Sequence, residues 1–223
     1  MPSLFLTGAT GFVGRNLMDR VAGRKGWTVT ALARTPPASA TDVRWVRGDL
    51  SRTESFAAAL AGHDIVVHLA ATTGNAPAAQ HFRVNAEGTA ALLAAAAAAG
   101  VPRFLYISSI AAAFTDTTHY PYARSKQQAE AAVRSSGLQT VIVRPTIVLG
   151  PGSPVGARLT QLGGGRFVLV LGDGRALIQP VHVQDLNTVL LSLIEQDDGC
   201  QGHTVEIGGP QVIEIEKFLQ LVH

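Results

Sequence analysis

The sequence predicts a doubly wound α/β fold built on a parallel sheet, with a small, abbreviated C-terminal part. Three observations predict it. A buried strand, a glycine-rich turn and an amphipathic helix follow one another directly over residues 3–21. Six apolar extended runs alternate with helical stretches over the first 145 or so residues. One of these runs, Ile65 to Leu69, shows no polar alternation, as in a strand covered on both faces.

The first strand, about Ser3 to Thr7, ends in Leu4, Phe5 and Leu6 and their polar neighbour Thr7. Phe12, Val13, Leu17, Met18 and Val21 then recur at helical spacing, giving a helix from Phe12 to about Ala22. Thr28 to Ala33 is the second strand, closed by Arg34, and Pro36 and Pro37 break regular structure after it. Val43 to Val46 is a third strand that ends in Gly48-Asp49-Leu50, and a helix is expected over about Thr53 to Ala61. After the fourth strand, residues 70–79 read as loop and Phe82 to Ala99 as a long helix. Its alanine run favours helix, because alanine loses no side-chain entropy there, and Gly100 and Pro102 stop it. Phe104 to Ile107 is the fifth strand, with Ser108-Ser109 at its end. Tyr122 to about Ser136 is helical, ended by Gly137, and Thr140 to Val143 is the sixth strand.

The chain is glycine- and proline-rich from Leu149 to Gly174. Beyond that, Ile178 to Val183 and Thr204 to Ile207 look extended, and Val189 to Ile194 and Ile215 to Val222 helical. This divides the chain into a main domain, residues 1–150, and a short C-terminal part, residues 151–223, that completes the sheet and the substrate side.

Composition narrows the function. With 47% hydrophobic and 15% charged residues the chain reads as globular, and its net charge of +2 is spread without a basic tract, which argues against a nucleic-acid partner. The longest apolar run, Ala90 to Ala99, is too short to span a bilayer. The single cysteine, Cys200, excludes an internal disulfide, and no leader-like stretch precedes the first strand, so a cytoplasmic location is expected. The seven histidines show no metal-ligand spacing, and neither a GxSxG elbow nor a GK[ST] ending is present.

The turn itself, Thr7 to Gly14 (TGATGFVG), is suited to a dinucleotide's pyrophosphate. Gly8 can adopt unusual backbone angles, Gly11 lets the main chain approach the phosphates, and Gly14 lets the helix pack on the strand. The following helix N-terminus offers free N–H groups and partial positive charge. Arg34 stands where an acidic residue usually bonds the ribose 2′-hydroxyl of NAD, so a 2′-phosphate is favoured and NADP is the expected cofactor, with NAD as the alternative. Asp49 is placed either to accept from the adenine amino group or to close a turn.

Tyr122 and Lys126 share a helix face at i and i+4. Lowering a phenol pKa from about 10 to neutrality takes roughly 4 kcal/mol. A Lys ammonium and an oxidised nicotinamide have the right sign to supply much of it. Tyr122 is then the general acid or base toward a carbonyl or alcohol, with a hydroxyl from Ser109 or Ser108 holding the substrate oxygen.

TGATGFVGRNL (7–17), GDL (48–50), VVHLAA (66–71), VNAEGTAALL (84–93), FLYISSIA (104–111), YARSKQQAE (122–130), VRPTIVLGPG (143–152) and PVHVQDL (180–186) stand in an order that resembles the short-chain dehydrogenase/reductase superfamily in its NAD(P)-dependent epimerase/dehydratase branch. The resemblance implies a Rossmann fold. It implies Ser109, Tyr122 and Lys126 as the catalytic set, Lys126 also anchoring the nicotinamide ribose. It places the cofactor along Gly8, Thr10, Gly11, Phe12, Val13, Gly14, Asp49, Leu50, Leu69, Ala70, Ala71 and Ser108, with Pro145, Thr146 and Ile147 near the nicotinamide amide. Asn85 would support the central helix, and helices 82–99 and 122–136 form a common homodimer face in that family. Two departures stand out. Only 71 residues follow Gly152, where this branch usually carries a longer substrate domain, and the Ser109-to-Tyr122 loop is short for wrapping a nucleotide sugar. GLQTVIVRP (137–145) and TVEIGGPQV (204–212) resemble an atypical subgroup related to a respiratory complex I accessory subunit. The expected function is an NAD(P)-dependent oxidoreductase or epimerase/dehydratase acting on a carbonyl or alcohol substrate, a nucleotide sugar among the candidates; the alternative is a non-catalytic NADP(H)-binding redox sensor or assembly or accessory protein.

Overall fold

The computed structural model describes residues 2–38, 42–163, 174–196 and 201–221. Its elements are β1 (Ser3–Thr7), α1 (Phe12–Val21), β2 (Thr28–Ala33), β3 (Arg44–Arg47), β4 (Ile65–His68), α2 (Ala78–His81), α3 (Gly88–Ala98), β5 (Arg103–Ile107), α4 (Pro121–Arg134), β6 (Gln139–Pro145), β7 (Val148–Leu149), α5 (Pro154–Gly163), β8 (Leu177–Ile178), β9 (Val181–His182), α6 (Val183–Glu195), β10 (Thr204–Ile207), β11 (Ile213–Glu214) and α7 (Ile215–Leu221). Seven strands form one sheet in the order β10-β6-β5-β4-β1-β2-β3, every pair parallel. The chain winds outward in both directions from the β4–β1 pair, so the crevice beyond these strand ends is the topological switch point where ligands bind in such sheets.

The apolar strands still alternate, one set of side chains for each face. Leu4, Leu6, Ile65, Val67, Leu105 and Ile107 pack with Leu17, Met18 and Val21 of α1 and Leu186, Leu190 and Ile194 of α6. Phe5, Val66, Phe104 and Tyr106 pack with Leu92, Leu93 and Ala96 of α3 and Ala129 and Val133 of α4. Fully burying side chains of this size contributes about 1.5–3 kcal/mol each before entropy is charged against it.

Several elements depart from the sequence reading. The expected helix over residues 53–61 is two 3-10 turns, Thr53–Ser55 and Ala57–Leu60, too short to propagate as α-helix. The long helix begins before Phe82: Ala78–His81 runs into a π-helical turn, Phe82–Glu87, and then into Gly88–Ala98. The glycine- and proline-rich stretch holds a helix, Pro154–Gly163. The extended run 178–183 is instead two short pairings, β8 with β11 and β9 with β7, and α6 starts at Val183, capped by His182. Thr204–Ile207 is the seventh strand of the main sheet. Cys200 and Val222 lie outside the described residues. Among those described, no helix is long and apolar enough to cross a membrane.

Candidate active site

β1 delivers the chain into its turn through Gly8, at φ +75°, a left-handed conformation that favours glycine. A Cβ on Gly8 would stand 2.5 Å from the backbone nitrogen of Ala70, and one on Gly14 2.1 Å from the carbonyl oxygen of Gly8. The two glycines therefore let β4's exit and the first turn of α1 close on the loop. Gly11 differs: its Cβ would meet only the Gly8 oxygen, at 3.2 Å, and its outer face is exposed along with Thr10. Gly11 caps α1 without a side-chain bond, and the first turn carries no acidic residue, so its N–H groups and partial positive charge face outward. This cradle fits a pyrophosphate. Gly14→Ala is expected to destabilise the protein by about 1–3 kcal/mol through backbone overpacking, read as a lower Tm. Gly11→Ala should leave Tm nearly unchanged and weaken cofactor binding instead, which titration of NADPH fluorescence would measure.

Across the crevice, β5 and α4 bring Ser109, Tyr122 and Lys126 together. Ser109, two residues past the end of β5, has extended backbone and caps a 3-10 turn, its Oγ accepting from the Ala111 N–H at 3.2 Å. The same side chain interacts with the Tyr122 phenol and pulls its pKa down. Burial outweighs this and pushes the phenol above its usual value. Lys126 Nζ donates to the Ile107 carbonyl at 2.8 Å and lies 4.5 Å above the Tyr106 ring. Lys126 is 1% exposed, and this burial lowers its pKa to about 7, with Glu130 opposing the fall. Tyr120, which misses the helical spacing, packs its ring against Tyr122 at 5.9 Å.

A buried polar network supports this set. Asn85, in the π-helical turn, accepts from Thr72 N–H at 2.7 Å and donates to the Thr72 carbonyl and to Ser125 Oγ at 2.9 and 3.0 Å. It thereby ties the loop after β4 to the helix that carries Tyr122. His68 bridges Thr7 Oγ1 (2.6 Å) and Thr89 Oγ1 (2.9 Å), is fully buried, and has its pKa lowered to about 3 by burial and by Lys126, so it stays neutral. Both of its ring nitrogens are committed to these two hydroxyls. His182 likewise bonds locally, to Gln184 N–H.

Ser108 and Leu50, read from sequence as lining the site, have their side chains committed elsewhere, and so does Arg144. Ser108 donates to Glu130 at 2.7 Å, which leaves Ser109 as the hydroxyl beside Tyr122. Arg144, at the end of β6, grips Glu130 through two bonds of 2.8 and 2.7 Å and pairs with Glu206. Leu50 is buried, its Cβ packed where Gly88 lacks one. Asp49 closes a turn by accepting from the Ser51 N–H and hydroxyl, both at 2.9 Å, and these bonds hold its pKa low despite partial desolvation. Arg34 is exposed at the end of β2, close enough to add to that lowering. Leu69 and Ala70 are half-buried under the crevice and Ala71 is exposed; Pro145 is buried, and Thr146 and Ile147 are half-buried beyond β6. The Thr146 hydroxyl is bonded to the Gln179 carbonyl.

Glu130 and His81, both important to this geometry, escaped the sequence reading. Glu130 extends the Tyr122–Lys126 stripe by one more turn, which was the available signal. His81 meets Tyr122 across two separate elements, α2 and α4, a contact that no local spacing announces. Among the described residues, no group of three His, Cys, Asp or Glu side chains could hold a metal.

The family model for the NAD dependent epimerase/dehydratase family matches residues 4–208. The chain is 33% identical over 205 residues to a ceramide reductase of Caulobacter vibrioides, an alignment covering 86% of this chain and 63% of that protein. It is 26% identical over 225 residues to the NADH dehydrogenase [ubiquinone] 1 alpha subcomplex subunit 9 of Dictyostelium discoideum, covering 96% of this chain and 61% of that protein. The chain thus spans less than two thirds of the length of either. Its structure superposes on the dTDP-glucose 4,6-dehydratase of Streptomyces venezuelae, solved with NAD bound, with a TM-score of 0.82 and 25% identity, covering 99% of this chain and 80% of that one.

Proposed function

Because this chain belongs to the NAD-dependent epimerase/dehydratase family, we propose that it is an NADP(H)-preferring oxidoreductase that interconverts a carbonyl and an alcohol, with Tyr122 as general acid or base. The observation that carries this reading is the convergence of Ser109, Tyr122 and Lys126 across the crevice from the Gly8–Gly14 cradle. When bound, the nicotinamide donates or accepts the hydride. Tyr122 Oη gives a proton to the substrate oxygen during reduction and takes it back during oxidation. Ser109 Oγ, already next to the phenol, holds that oxygen in place. Lys126, fixed by the Ile107 carbonyl, contributes positive charge when protonated. Burial holds the Tyr122 phenol in its neutral form, the form that gives a proton to the substrate oxygen during reduction.

NADP preference rests on Arg34, exposed at the end of β2 where the adenosine ribose binds in this fold. Arg34→Asp should weaken NADP binding by 10-fold or more, on the order of one charge-assisted pair, and leave NAD within about twofold. Equal losses for both would show that Arg34 does not touch the 2′-phosphate. The likeness to the NADH dehydrogenase [ubiquinone] 1 alpha subcomplex subunit 9 of Dictyostelium discoideum favours a second reading, an NADP(H)-binding sensor or accessory protein without turnover. A panel of ketones and nucleotide sugars separates the two: NADPH oxidation by any of them supports the enzyme, and tight NADPH binding with none supports the sensor.

A further inference from the structure

We propose that His81 is a positioning residue whose ring sets the orientation of the Tyr122 ring. The proposal rests on the reading of Tyr122 as the proton-transfer group. His81 is the last residue of α2, 3% exposed, and lies immediately before the π-helical turn. Its Nδ1 stands 3.1 Å from the Thr72 carbonyl oxygen. A carbonyl only accepts, so Nδ1 carries the hydrogen and the ring is fixed about its own axis.

The same carbonyl also accepts from Asn85, and the Thr72 N–H donates to Asn85 as well. Thr72, one residue past Ala71, is thus held by three hydrogen bonds from one helical run. His81 meets Tyr122 edge to face, with ring centroids 5.7 Å apart and planes at 67°. Tyr120 lies on the phenol ring at 5.9 Å and is itself backed by Phe114 at 6.4 Å. The Tyr122 ring is therefore confined by two aromatic neighbours, and only His81 is itself anchored to the loop that lines the cofactor. Edge-to-face contacts favour one ring orientation over others. Here that orientation brings the phenol to Ser109.

The chain has three tyrosines, Tyr106, Tyr120 and Tyr122, so fluorine NMR of protein labelled with 3-fluorotyrosine gives three assignable signals. Tyr106 is fully buried and its ring stacks on His68, so its signal reports an intact fold. His81→Ala and His81→Gln should shift the Tyr122 signal and leave Tyr106 in place, whereas His81→Phe, which keeps a ring, should leave both. In turnover, the Ala and Gln variants should lose about tenfold in kcat, the upper range of an aromatic pair, with KM for NADPH within about twofold, and the Phe variant should recover most of the rate. If His81→Ala also moves Tyr106, the Gln and Phe variants decide: Gln must move Tyr122 and Phe must not. Gln and Phe variants that behave alike overturn the proposal. Active Tyr122→Phe protein would instead overturn the reading of Tyr122 itself, whatever the His81 variants do.

Discussion

Tyr122→Phe is expected to lower turnover of carbonyl substrates by about 10²–10⁴-fold, the contribution of a positioned general acid, with cofactor affinity little changed. The asymmetry follows from the site. In the proposed reading the phenol oxygen acts on the substrate, whereas the cofactor's phosphates rest on the turn at Gly8, Gly11 and Gly14, after a different strand, β1. The ring itself packs on His81 and Tyr120, contacts a phenylalanine retains, so stability should also hold. NADPH oxidation against a ketone panel, with parallel thermal melts, checks both halves. A Phe variant that turns over like the wild type would remove Tyr122 from the chemistry.

Glu130→Ala should produce the largest loss of stability, about 3–5 kcal/mol, because it strips a buried charge network of its central anion. Glu130 is 1% exposed and accepts from Ser108, Arg134 and Arg144. Its removal leaves Arg144 with only the half-exposed Glu206 and leaves the buried Ser108 hydroxyl without its acceptor. In a chain of this length such a loss corresponds to a Tm lower by roughly 10 °C or more. The sign with pH is defined too. Burial raises the Glu130 pKa, but these hydrogen bonds together outweigh it and hold the pKa below its ordinary value, so its contribution is present above the unfolded carboxylate range and is lost as pH falls through the lowered folded value. The wild-type and alanine proteins should therefore converge in stability under acid. A variant as stable as the wild type at neutral pH would show that the network contributes no net stability.

The fold was legible where one signal dominated. Runs such as Leu4-Phe5-Leu6 and Ile65-Val66-Val67 are apolar on both faces and belong only to a covered parallel sheet. The Gly8 turn could be read because glycine is required there by φ and by space. The start of α6 was hidden because Val181 and Val183 alternate like a strand, while the cap is made by a histidine, an uncommon capping residue. The stretch 53–61 has helical composition, but its turns are too short for α-helical hydrogen bonding to propagate. At the site, helical spacing put Tyr122 and Lys126 on one face of one helix, α4. It could not show that Arg144 and Ser108 turn to Glu130, since such pairings between elements depend on where β5, β6 and α4 meet. Nor could it give the direction of the Tyr122 pKa, which burial decides.

The central claim, hydride exchange in the crevice with Tyr122 moving the proton, is tested most directly by deuterium transfer. NADPH deuterated at the nicotinamide C4 is incubated with the wild-type protein and a panel of ketones, and the alcohol products are read by mass spectrometry. The site predicts deuterium on the carbinol carbon of at least one product, at a rate that falls by about 10²–10⁴ in Tyr122→Phe. No deuterium in any product, or equal transfer by the Phe variant, would contradict it.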